Sequence, residues 1–295
     1  MVMKNIFIVV IYLGIHFSAQ SQYYFYNDKY FDNDFVFEVG AGIGAINAIT
    51  DIGGQPKGST KKYFNEINWQ NTSLSNSIYF SGIYKSIIGG RLELTYGNIK
   101  GYDSLLAKGS SRYRRNLSYQ SEIREISLMA EFHPLMLKDF ESSPYFSPYI
   151  IGGVGWFAFN PQGNLNGNWI DLQPLSTEGQ GFKEYPNRKP YKLKQANILL
   201  GAGLKFEASE LFSFRLEWIH RYLFTDYLDD ASTQYINPIV FATNLSPANA
   251  QNALLLFNRT GKPEREGAQR GDPKNTDSYF TVNFKLGFTL GRTRR

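Results

Sequence analysis

Apolar and polar residues alternate with a period of two through segment after segment of this chain. The segment Leu211 to Asp230, LFSFRLEWIHRYLFTDYLDD, sets the pattern. Phe212, Phe214, Leu216 and Trp218 fall on one parity, and Ser213, Arg215, Glu217 and Arg221 on the other. Successive side chains of a β-strand point to opposite faces, so this stretch predicts a strand with one apolar and one charged face.

Seven further strands follow from the same rule. The first, Phe35 to Ile46, sets Phe35, Phe37, Val39, Ala41 and Ile43 against Glu38, Gly40, Gly42 and Gly44, where glycine leaves room for larger side chains. The second, about Ser75 to Lys85, has Ile78, Phe80 and Tyr84 in phase. A tight turn at Ser86 to Ile88 leads into the third, Gly89 to Lys100, with Leu92, Leu94 and Tyr96 opposing Arg91, Glu93 and Thr95. The fourth is Glu122 to His133. The fifth, Phe146 to Phe159, is apolar on both parities, so its facing is not readable. The sixth is Ala196 to Ala208, and a two-residue turn, Ser209-Glu210, joins it to the strand at Leu211. The eighth, Tyr279 to Leu290, sets Phe280, Val282, Phe284, Leu286 and Phe288 against Thr281, Asn283, Lys285 and Gly287.

The connections alternate in length. Asn47–Leu74, Gly101–Gln120, Asn160–Gln195 and Leu223–Ser278 are long, whereas those at Ser86, Pro134–Tyr145 and Ser209 are short. Outer-membrane barrels show this rhythm, with short periplasmic turns and long external loops. Strands of about 10 to 14 residues suit a tilted crossing, which takes roughly 9–11. The expected fold is therefore all-β, a transmembrane antiparallel up-and-down β-barrel of eight strands with long extracellular loops. Ten strands would result if the last loop hides a hairpin. That loop also holds SPANAQNALLLF, Ser246 to Phe257, which predicts a short helix with Ser246 as N-cap and Pro247 at its first position.

Composition refines this picture. Lys4 followed by the apolar run Ile6 to Phe17, with Ala19 and Ser21 at small-residue positions, predicts a signal peptide over residues 1–21. Residues 22–34, aromatic and acidic, are then expected as an irregular periplasmic segment, and 35–295 as the barrel. Cysteine is absent, which excludes disulfides, thiolate chemistry and a lipid-anchored cysteine. The formal charge of +5 drops by one with Lys4, too little to suggest nucleic acid. Aromatic residues make up 16% of the chain, while mean hydropathy is only −0.34, as expected where every other strand residue is polar.

The inward parity collects Glu38, Glu93, Glu125, Glu131, Glu207 and Glu217 against Arg91, Lys205, Arg215, Arg221 and Lys285. An eight-stranded barrel is just wide enough for side chains to fill it. Nearly balanced charge there predicts a lumen packed with ion pairs, because an unpaired buried charge costs several kcal/mol. The single-sign rings of a selective pore are missing. His220 is the one candidate for barrel hydrolase chemistry, but no Ser or Asp stands in phase beside it. An aromatic-girdle histidine between Trp218 and Tyr222 is the plainer expectation. TDYLDD places Asp226, Asp229 and Asp230 within five residues, a cluster of the kind that hard cations favour. Their spacing matches no EF-hand loop, so hydrogen-bonded or solvated carboxylates are expected instead. The basic run Arg112, Arg114 and Arg115 could meet lipid phosphates or remain a solvated loop. Arg292, Arg294 and Arg295 could meet an acidic periplasmic partner. No cofactor is expected.

FEVGAGIGAINAITDIGG, RLELTYGNIKGYD, SPYIIGGVGWFAFNP, NGNWIDLQPLSTEGQG and RYLFTDYLDD, in that order, resemble the PorG family over nearly the whole mature chain. TEGQG and TDYLDD are the more specific of these motifs. The resemblance implies an integral outer-membrane barrel of the type IX secretion machinery, contacting a periplasmic ring of a PorK-like lipoprotein and a PorN-like protein. It implies no catalytic residues. A free-standing barrel for adhesion, outer-leaflet integrity or slow solute passage is the alternative. Ring contacts are expected from Tyr23, Tyr24, Phe25 and Tyr26, and from Lys138, Asp139 and Phe140 in the Pro134 to Tyr145 connection.

Overall fold

The computed structural model describes residues 30–54, 67–137 and 146–294. Eight antiparallel strands close on themselves: β1 (Tyr30–Ile49), β2 (Ser73–Tyr84), β3 (Ile88–Tyr102), β4 (Ser118–Phe132), β5 (Phe146–Ala158), β8 (Lys194–Glu207), β9 (Phe212–Leu223) and β10 (Ser278–Arg294). Each pairs with its neighbour in this order, and β10 returns to β1 from Tyr30↔Arg294 to Ile49↔Ser278. Every backbone edge of the cylinder is thereby satisfied, which is what a strand needs to cross hydrocarbon.

The two faces of the wall differ sharply. Leu128, Val154 and Ile78 are 62, 61 and 58% exposed, and the outward positions around them, such as Leu94, Ile126, Ile150, Leu200, Leu216 and Phe284, are exposed too. An apolar belt of this extent has no place on a protein surrounded by water and faces acyl chains. Strand β5, ambiguous in the sequence, turns Ile150, Val154 and Trp156 outward and Tyr149, Ile151 and Phe157 inward. Among the described residues no helix is long and apolar enough to span a membrane.

Several boundaries differ from those expected. β1 starts at Tyr30, so residues 30–34 are strand and not irregular chain; residues 30–32 pair with β10, and the register shifts between Asp32 and Phe37. The β8–β9 connection takes four residues, not two. Ala208 and Ser209 both donate to the Phe212 carbonyl, and Ser209 Oγ accepts from the Leu211 and Phe212 amides. The β2–β3 turn, Lys85 to Ile87, holds Lys85 and Ser86 at positive φ.

A hidden hairpin exists, but in the third long loop: β6 (Pro161–Leu165) and β7 (Asn168–Asp171), with β6 leaning on β4 outside the closed ring. The remaining external chain folds into a cap. It contains α1 (Ser111–Arg115), α2 (Ile239–Asn244) and α3 (Pro247–Phe257), and Ser246 caps α3 by accepting from the Asn249 amide. The cap has its own apolar centre around Leu172, Leu175, Ile236, Phe241, Ala253 and Leu256. A second cluster, with Ile46, Ile99, Tyr119, Phe157 and Tyr279 from the strands and Leu228 and Ala231 from the last loop, closes the outer mouth of the barrel. The predicted signal peptide and the Tyr23–Tyr26 cluster lie outside the described residues, as do Lys138, Asp139 and Phe140.

Candidate functional site

The lumen is built by the inward parity of all eight strands. Arg91 on β3 lies at its centre: Nε is 2.5 Å from Glu131, and Nη1 is 2.7 Å from Glu217 and 3.3 Å from Glu93. Arg215 on β9 joins Glu38 at 2.7 Å and Glu131 at 2.9 Å. Lys285 on β10 joins Glu93 at 2.6 Å and Glu217 at 2.7 Å. Lys205 reaches Glu38 and Glu207, at 3.2 and 3.3 Å, and Arg221 reaches Glu125 at 3.2 Å. The eleven charges named from parity thus meet one another. Ten are buried; Glu207, nearest the periplasmic end, retains a quarter of its side-chain exposure.

The sequence pattern did not single out the aromatic and polar side chains that complete this lattice. Tyr79 donates to Glu38 at 2.6 Å, and its ring lies under the Arg91 guanidinium at 4.8 Å. Tyr149 donates to Glu217, and Tyr279 donates to Glu125. His133, expected only as the end of a strand, is buried against Ser147 and Glu131 and stacks on Tyr149. For Tyr79, Tyr279 and His133 inward parity was the available signal, since a Tyr there needs a polar partner for its hydroxyl; Tyr149 gave none, because both parities of its strand are apolar. Glycine makes the space: a Cβ on Gly40 would sit 2.6 Å from the Tyr79 ring, and one on Gly203 would sit 2.6 Å from the Tyr149 hydroxyl.

Arg91, Arg215 and Lys285 are at most 1% exposed. A water-filled conduit would leave them exposed to solvent, so this interior is packed. His220 keeps its outward parity but is buried, with Trp218 stacked at 6.1 Å and Tyr222 edge-on at 4.4 Å.

Asp226, Asp229 and Asp230 lie in the junction where the last loop meets the barrel mouth. Among the described residues no group of three His, Cys, Asp or Glu side chains is arranged to hold a metal. Two of these carboxylates turn to separate partners: Asp229 accepts from the Ile52 and Ala231 amides, and Asp230 from Thr177 Oγ1 and the Tyr191 hydroxyl. Burial pushes Asp226 up to about 8 and Asp229 to about 7, with the nearby Asp51 adding to both. Burial also lifts Asp230, to about 6, though Arg270 and its hydrogen bonds oppose the rise. Glu178 accepts from the Ser232 and Thr233 amides and pairs with Arg270 at 2.9 Å. The TEGQG and TDYLDD motifs, separate in sequence, therefore meet in one buried junction of the cap.

The basic run is structured too. Arg115 is buried in a two-point contact with Asp103, at 2.7 and 3.0 Å, and donates to the Arg270 carbonyl. Arg112 joins Asp51 at 3.1 Å, and Arg114 alone of the three is exposed.

A family model described as a domain of unknown function, DUF6089, matches residues 23–241. The chain belongs to the DUF6089 family. The match takes in the barrel strands up to β9 and the Thr177–Asp230 junction. Among solved structures, this DUF6089 member is similar to the Yersinia pestis attachment invasion locus protein Ail, solved in complex with the heparin analogue sucrose octasulfate. That similarity has 8% identity and a TM-score of 0.37, over 88% of this chain and 100% of Ail. It is also similar to the N-terminal β-barrel domain of Pseudomonas aeruginosa OprF, with 12% identity and a TM-score of 0.33, over 88% and 100% of the two chains. Neisserial surface protein A matches at 8% identity and a TM-score of 0.35, over 88% and 98%. No curated protein matches the sequence.

Proposed function

We propose that this DUF6089 barrel is a non-enzymatic component of the outer membrane that anchors a periplasmic ring of the type IX protein secretion machinery. The observation that carries the structural role is the buried lattice around Arg91 and Arg215. A lumen consumed by its own ion pairs offers neither a solute path nor a free nucleophile or base. The work of such a barrel falls to its ends and its outer wall. The assignment to that machinery rests on the PorG resemblance, whose two most specific motifs meet at Thr177–Asp230 and feed the Glu178–Arg270 pair. The partners it implies are a PorK-like lipoprotein and a PorN-like protein on the periplasmic side, with outer-membrane lipid around the wall.

Crosslinking in intact cells followed by mild-detergent purification tests the anchor. Co-recovery of a lipoprotein and a ring protein is the expected result, and a barrel recovered alone overturns it. Alanine replacement of Tyr23 to Tyr26 together with Lys138, Asp139 and Phe140 should abolish co-recovery without lowering barrel yield. The folded external cap favours one second reading, a free-standing barrel acting at the cell surface. That reading predicts an outer-leaflet permeability defect on deletion, with secretion unchanged.

A further inference from the structure

A cleft of about 870 Å³ opens in the external cap between the loop carrying α1 and the loop after α3. Six basic side chains line it, against two carboxylates, Asp51 and Glu264. The cations divide by whether their charge is already matched. Arg115 is neutralised by Asp103, and Arg270 by Glu178 and Asp230, so these two form a rigid floor. Arg112 is held from behind by Asp51 and by the Gly54 carbonyl, and its side chain remains 22% exposed.

The other three make no ion pair among the described residues. Arg259 donates to the Asn164 carbonyl, a neutral partner that leaves its charge uncompensated. Arg114 and Lys262 are exposed and make no ion pair among the described residues. Glu264, at the exposed rim, is the one lining carboxylate left to oppose them. This excess of cations carries like-charge repulsion that a bound anion would relieve. Its volume is that of an ordinary small-molecule site, roughly 300–1,000 Å³. Guanidinium groups fixed in orientation suit phosphate, whose oxygens accept two parallel N–H bonds.

We infer that this cleft binds a phosphate-bearing anion, either the phosphorylated headgroup of an outer-leaflet glycolipid or a soluble oligophosphate. Arg114, Arg259 and Lys262 supply the attraction, and Arg112 supplies orientation. The site lies on the external face, so it is independent of any ring contact on the periplasmic side.

The test uses the full chain in detergent, titrated calorimetrically with inorganic tripolyphosphate at low salt. In parallel, the chain reconstituted in vesicles is assayed for binding to a phosphorylated glycolipid and to its dephosphorylated counterpart. Saturable binding is expected, weakened about tenfold or more in the double variant Arg114→Glu/Lys262→Glu and by added salt. Lys189→Glu, which changes the same kind of charge in the third external loop outside the cleft, should leave binding unchanged. Tripolyphosphate binding without glycolipid preference supports the soluble ligand, and preference for the phosphorylated glycolipid supports the headgroup. Absence of saturable binding to both probes overturns the inference. So does an equal loss in Lys189→Glu, which would mean that only the overall charge of the cap matters. All variants should keep the heat-dependent gel mobility of a folded barrel.

Discussion

Arg91 touches three glutamates at once, and each of those glutamates touches at least one further cation or histidine. Replacing Arg91 with Met would leave Arg215 as the one remaining guanidinium on Glu131, beside the His133 ring, and Lys285 as the one remaining cation on Glu217, beside the Tyr149 hydroxyl. Breaking a buried pair by removing one partner costs about 3–5 kcal/mol, because the remaining charge stays buried. Urea unfolding of the detergent-solubilised barrel should show a loss of that size for Arg91→Met. Arg91→Lys should recover part of it at most, since an ammonium cannot reproduce the contacts of Nε and Nη1. At Gly203 the problem is volume: Val there collides with Tyr149 and should cost about 1–3 kcal/mol. Combined with Tyr149→Ala, the measured loss should be smaller than the sum of the two single variants, because they share one space. Parity alone placed Arg91, Glu217 and Lys285 inside the barrel. Which glutamate meets which cation was not legible, because pairing depends on the stagger between strands that are distant in sequence, such as β3 and β9.

At the scale of elements, strands were legible and the cap was not. A barrel strand repeats one simple constraint at every second residue, so β10 reads directly from Phe280 to Leu290. The cap has no such period. β6 and β7 are five and four residues long, and their pairing depends on β4 at Gln120↔Gln162. Only α3 announced itself, through Ser246 and Pro247. Carboxylates crowd where the cap meets the barrel: Asp51, Asp226, Asp229 and Asp277, with Asp277 lifted by burial and by Asp229. The ordinary Asp value is about 3.9, so between about pH 4 and 8 the folded cap binds protons that the unfolded loops release. The cap should therefore be most stable at acid pH and lose stability as pH rises through about 6, 7 and 8, the values of Asp230, Asp229 and Asp226. Hydrogen exchange over residues 225–236, corrected for intrinsic rates, should show more protection at pH 5 than at pH 8. Asp226→Asn should flatten that difference, and greater protection at pH 8 would contradict the sign.

The described molecule is a cylinder whose outside is greasy, whose inside is charged and packed, and whose outer mouth is stoppered. Planar bilayers containing the purified chain should record no stable nanosiemens conductance. Withdrawal of detergent should drive the protein out of solution, since outward positions such as Leu128 and Val154 have no cover of their own. The cap is also stitched across all four external loops. Asp51 from the first accepts from Arg112 of the second and from the Asp272 amide of the fourth, and Glu178 from the third holds Arg270 of the fourth. Such a knot cannot be tied while any of its threads is still on the near side of the membrane. Each hairpin must deliver its loop outward first, and the stopper sets only when the last has arrived, so a barrel stalled mid-insertion would be recognisable by an undone knot above half-formed walls.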